Sequence, residues 1–117
     1  MSNNRSEIAR KLSELNEEYD SLDRFFYTNF KIHSIGTNKP FLKAKPNSCY
    51  EFSRRLDRIK NHISRLWRLC DSHTGGWFDN DEKRELDKRH RSKLYEIEQC
   101  VNKLMSLYSS YDVSEEF

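Results

Sequence analysis

Residues that break helices are scarce in this chain. Its 117 residues include three glycines and two prolines, all of them within two short stretches, 36–46 and 75–76. Proline disfavours helix at the residue before it and glycine readily takes the left-handed residue that closes a helix, so the breaks in regular structure belong there. Cysteine is scarce too. Cys49, Cys70 and Cys100 are odd in number and two of them sit in or beside apolar helical seams, which excludes the disulfide framework of a small secreted domain and predicts reduced thiols in a cytoplasmic or other reducing compartment. No stretch approaches the roughly 18 consecutive apolar residues that span a bilayer, and the opening MSNNRSEIAR has no apolar run of the signal-peptide kind. The chain is therefore expected to be soluble and to have no membrane partner.

Charge of one sign is also missing overall: 21 basic against 19 acidic residues leave a formal +2. A sequence pI of about 8.4 lies below the value above 9 expected of a dedicated nucleic-acid domain. Catalytic signatures are absent as well. There is no phosphate-binding glycine loop, no dinucleotide fingerprint and no helical His-Glu metal motif. Asp71, Ser72 and His73 hold triad residue types, but consecutive side chains point apart and cannot form the hydrogen-bond relay. Cys70 and His73 have a spacing seen in zinc sites, yet no second pair completes four ligands. Paired carboxylates occur only among mixed surface charges. These absences lead to the expectation of a protein that is not an enzyme and carries no metal or cofactor.

What the chain does have is periodicity. Hydrophobic content of 35%, charged content of 34% and a mean hydropathy of −1.01 lean towards disorder, but the apolar residues recur too regularly for that, and a slender helical bundle reconciles the two. Phe52, Leu56, Ile59, Ile63, Leu66 and Cys70 alternate steps of four and three, the seam of a helix packed lengthwise on others. Ile8, Leu12, Leu15, Tyr19, Leu22 and Phe26 do the same, with Phe30 one turn further. His90, Leu94, Ile97, Val101, Leu104, Tyr108 and Tyr111 form a third seam. Asn4 with Glu7, Ser48 with Glu51 and Asp79 with Glu82 have the spacing of capping boxes ahead of these runs.

The predicted fold is all-α, a single domain over 1–117: an elongated antiparallel three-helix bundle with coiled-coil-like seams. Its helices cover about 5–30, 49–71 and 80–111, joined by a basic, irregular loop at 31–48 and followed by an acidic tail at 112–117. Of these, the mixed-charge start of the third helix, Asp79 to Lys93, reads as solvated and able to fray. The unequal helix lengths leave apolar surface on the third helix for the first helix or a second copy to cover, so a homodimer is also expected.

A second stripe decides the functional reading. Arg54, Arg58, Asn61, Arg65 and Arg68 repeat the same steps on a different side of the second helix. From Lys31 through Cys70 ten basic residues face only Glu51 and Asp57, giving +8, so the remainder of a +2 chain is −6. A stripe of one sign steers oppositely charged partners. The expectation is a non-enzymatic adaptor or inhibitor that docks on the acidic surface of a larger protein. Lys39, Lys43, Lys45, Arg54, Arg55, Arg58, Arg65 and Arg68 would make the contacts, with Tyr27, Phe41, Tyr50 and Trp77 as aromatic anchors. The alternative is a nucleic-acid-binding accessory protein using the same residues on DNA or RNA phosphates without reading sequence. A structural coiled coil with solubilising charges is a third reading. Arginines that merely flank the seam and pair with acids of the first helix would leave only that scaffold.

Overall fold

The computed structural model describes residues 4–34, 36, 39–72 and 80–115, with Asn4 described by its backbone alone. The element order is α1 (Asn4–Asn29), β1 (Phe30–His33), β2 (Phe41–Ala44), α2 (Ser48–Ser72), α3 (Asp81–Ser109) and β3 (Val113–Ser114). Three helices pack into a rod with extents of 64 × 24 × 17 Å, and the seams read from the sequence form its core. All six seam residues of α2 are buried. Tyr19 of α1, Tyr108 of α3 and Tyr111, which lies past the end of α3 rather than in it as expected, are half-buried, since each carries a polar tip at the edge of an apolar body.

The rod is not purely helical. A three-stranded sheet of order β1-β2-β3 closes one end, with β1 antiparallel to β2 and β3 parallel to it. The expectation of an all-α chain with an irregular 31–48 connection is corrected here. Burial alternates along 41–44, and the registers Phe30↔Ala44, Ile32↔Leu42 and Leu42↔Val113 put Phe30, Ile32, Leu42, Ala44 and Val113 on one face, of which Ile32 stays 55% exposed. That face covers the aromatic end of the bundle, where Phe26 stacks on Phe30 at 5.0 Å and Phe52 meets Tyr108 at 4.6 Å between ring centroids. Core filling is thus the fate of Phe26 and Phe30, while Phe25 is half-buried and Tyr27 is exposed. Gly36, at φ +74°, lies in the connection between the strands, a backbone conformation that side chains with a Cβ rarely adopt.

Helix ends are settled by long-range partners as much as by local caps. The Lys45 amide donates to the Asn29 carbonyl at 3.0 Å, so the returning strand satisfies the last turn of α1 and the helix stops one residue short of Phe30. Asn80 caps α3, its side-chain oxygen accepting the Lys83 amide at 2.9 Å. Asp79, expected in that role, lies outside the described residues. At α2, Glu51 turns to Arg54 and Arg55, and the free amides of Asn47 and Cys49 are taken by Glu115, at 3.3 and 3.2 Å. Most of the expected acidic tail is therefore part of the fold: β3 pairs with β2, the Leu42 amide donates to the Asp112 carbonyl at 2.8 Å, and Glu115 caps a helix 66 residues away in sequence.

Candidate functional site

The second stripe of α2 is a solvent-facing row. Arg54, Arg58, Asn61, Arg65 and Arg68 are all exposed, and Tyr50, one turn before Arg54, extends the row with 72% of its surface open. From Arg54 to Arg68 a helix rises about 21 Å. Burying the seam of α2 against α1 and α3 forces this, because two stripes on different sides of one cylinder cannot both be covered by the same neighbours.

Carboxylates occupy part of the row. Glu51 binds Arg54 Nη2 at 2.7 Å and Arg55 Nε at 3.0 Å, and hydrogen bonds from Arg54 and then Arg55 pull its carboxyl down to about 2. Arg55 also lies 4.7 Å from the centre of the Phe25 ring, so its guanidinium is turned towards α1 rather than outward. Glu18 of α1 has His62 Nδ1 at 2.9 Å from one oxygen and Arg58 Nε at 4.0 Å from the other. The second oxygen is shielded and has no hydrogen-bond partner among the described residues. The 4.0 Å approach is therefore a weak pairing, and Arg58 stays 52% exposed at its side chain.

Two recesses of about 140 and 150 Å³ flank Glu18 in the α1–α2 cleft. Lys11, Glu14, His62 and Arg65 meet in the first, and Ser21, Arg55 and Arg58 in the second. Mixed charge and small volume suit ordered water better than a cofactor. Arg65 and Arg68 have no carboxylate partner among the described residues.

The remaining candidates are distributed by the sheet. Lys43 is half-buried on β2, Lys45 is exposed just after it, and Lys39 reaches Asp112 at 3.6 Å with both side chains open to solvent. Phe41 is half-buried against His33 at 5.1 Å between rings. Tyr27 is exposed on α1. Trp77 and His73 lie outside the described residues, and with them the expected Trp77 anchor and the Cys70–His73 spacing. Among the described residues no group of three or more His, Cys, Asp or Glu side chains is placed to hold a metal ion, and no helix is long and apolar enough to cross a membrane. Glu18, His62 and His33 are site neighbours that the stripe analysis missed. The apolar–polar alternation of Phe30, Lys31, Ile32 and His33 was the available signal for His33, whereas 41–44 does not alternate in sequence.

No family model matches the chain, and neither a curated protein nor a solved structure matches it.

Proposed function

We propose that the chain is a non-enzymatic helical adaptor or inhibitor that docks on the acidic surface of a larger protein through the outward row of α2. The observation that carries this is the exposure of Tyr50, Arg54, Arg58, Arg65 and Arg68 along one side of the helix, with Arg65 and Arg68 lacking any carboxylate among the described residues. A guanidinium with no internal acid to give up meets a partner carboxylate at a smaller cost than one that is already paired, so Arg65 and Arg68 are the strongest contacts and Tyr50 the anchor at the other end. Lys45, exposed ahead of α2, extends the same positive surface. The free cysteines, one buried, one half-buried and one exposed, fit a reducing cytoplasmic compartment.

The phosphate-binding alternative on this row is weakened by Glu51, Glu18 and the exposed Asp57, which would face a polyanion at close range. A second copy has little left to cover, since α1 and α2 already bury the α3 seam, and the exposed large apolar side chains among the described residues of α3 are Leu86 and Tyr95, outside that seam.

The test is affinity capture with wild-type and Arg65→Glu/Arg68→Glu baits, each checked for native helicity and melting. Reversal should abolish one specific partner while leaving the fold within about 0.5 kcal/mol of wild type. Unchanged capture by the reversed bait would remove the row from the interface.

A further inference from the structure

The two recesses of the α1–α2 groove are spaced as holes for a further helix. Around the first, α1 supplies Lys11, Glu14, Leu15 and Glu18, the i, i+3, i+4, i+7 set that frames a hole for a knob from another helix, and α2 supplies His62, Arg65 and Leu66. The second is bounded by Glu18 and Ser21 of α1 and by Arg55, Arg58 and Ile59 of α2. Arg55, Arg58 and Ile59 stand one heptad before His62, Arg65 and Leu66, and Glu18 and Ser21 one heptad after Lys11 and Glu14. A heptad of helix rises about 10.5 Å, so holes of about 140 and 150 Å³ repeat at that step along the rod.

Residues a heptad apart lie nearly in line on one face of a helix, so a helix laid in the groove reaches both holes. An extended segment repeats on one face about every 6.7 Å and misses the second. The floors are buried and apolar, Leu15 and Leu66 in one and Ile59 in the other, and suit leucine-sized knobs. The rims are charged, but their acids are engaged: Glu14 by Arg10 at 3.3 Å and Glu18 by His62 at 2.9 Å. Arg65 has no carboxylate among the described residues and Arg58 only the 4.0 Å approach to Glu18, so these two cations, themselves a heptad apart, are what the groove offers an incoming charge. We propose that the partner docks an acidic amphipathic helix in the α1–α2 groove, two apolar side chains a heptad apart filling the holes and two carboxylates at the same spacing meeting Arg58 and Arg65. The inference rests on the proposed docking through α2 and adds the kind of segment that docks, one that completes a four-helix bundle.

The probe is an alanine-based helical peptide of about 21 residues with leucines at heptad spacing and glutamates beside them at the same spacing. Its controls are a shuffled peptide of the same composition and a version with lysine in place of each glutamate. Titrated into the isotope-labelled chain, the probe should move the amide signals of residues around the holes, Glu18 and Ser21 among them, while neither control binds. Ser21→Tyr, at an exposed position of α1, fills the second hole and leaves every arginine in place. It should weaken peptide binding about ten- to a hundredfold, the worth of one buried leucine.

Unmoved signals at about 1 mM probe would overturn the proposal. So would equal binding by the shuffled or lysine peptide, unaltered affinity in Ser21→Tyr, or self-association of the chain that Ser21→Tyr abolishes, which would put a second copy in the groove. Partner capture lost in Arg65→Glu/Arg68→Glu but kept in Ser21→Tyr would leave the row as the interface and remove the helix from the groove, so the two readings fail separately.

Discussion

Arg5 and Asp87 join the starts of α1 and α3 by two parallel hydrogen bonds of 2.9 and 3.0 Å, and their side chains are only 12% and 15% exposed. A pair so far withdrawn from water is held in one geometry and coupled more strongly than an open surface pair. Removing one partner leaves the other largely desolvated. Fully buried pairs broken in this way lose about 3–5 kcal/mol, and discounting for the residual exposure gives about 2–3 kcal/mol for Asp87→Ala or Arg5→Ala. For a chain of this length that is roughly 8–12 °C in melting temperature. Replacing both by apolar groups, Arg5→Met with Asp87→Leu, removes the desolvation penalty along with the attraction and should return to within about 1 kcal/mol of wild type. Urea unfolding followed by circular dichroism on the four members of the cycle measures the coupling, expected at about 1–3 kcal/mol. A coupling under about 0.5 kcal/mol, with each variant native in helicity, would refute the claim that this pair fastens the start of α3.

Phe52 is fully buried and its ring meets Phe26, Phe30 and Tyr108, so Phe52→Ala should cost about 3–5 kcal/mol and unfold sheet and helices in one transition, read by calorimetry. Burial lowers the pKa of His90, with Asp87 opposing and Arg5 reinforcing the shift, and Nδ1 of its ring has no hydrogen-bond partner among the described residues. Its folded pKa lies below the unfolded value, so the unfolded chain binds the proton first; stability is full above about pH 6.5 and falls on acidification through that value, a slope that His90→Gln should flatten in unfolding titrations. The Glu115 carboxyl is held below the ordinary carboxylate range, first by the Cys49 side chain and then by the Cys49 and Asn47 amides. Glu115→Gln should therefore speed amide exchange at the start of α2, and the wild-type protection should fade as pH drops below that range.

The helical fold was legible because its signal is local and repeated. Phe52 to Cys70 bury one stripe and expose another at the spacing the sequence displays, and no distant residue is needed to see it. The sheet was not, since strands of four and two residues carry too few alternations to stand out, and β3 becomes a strand only by lying beside β2. The same reason hid the fastening of α3. Asp87 sits in a run of mixed charges that reads as solvated, and nothing local reveals that Arg5, 82 residues away, reaches it. The Arg91 guanidinium likewise donates to the Cys70 carbonyl at 3.1 Å, so from Asp87 onward this stretch is tied to α1 and α2, while residues 81–86 are exposed.

Charge along the rod follows from the same division between local and distant partners. The excess of +8 between Lys31 and Cys70 is real in sequence, yet in space it splits. At the start of α2 it is answered within the helix by Glu51, at the middle it is partly answered from α1 by Glu18, and towards Cys70 the described residues supply no answering acid to Arg65 or Arg68. On the sheet, Lys31 and Lys43 face each other across one ladder pair. Coulomb interactions between exposed groups fade beyond about 8 Å at physiological salt, so a partner senses these as separate patches rather than one positive field. If the α2 row docks as proposed, the acids of a partner should therefore act first at Arg65 and Arg68, where the fewest described acids have to be displaced.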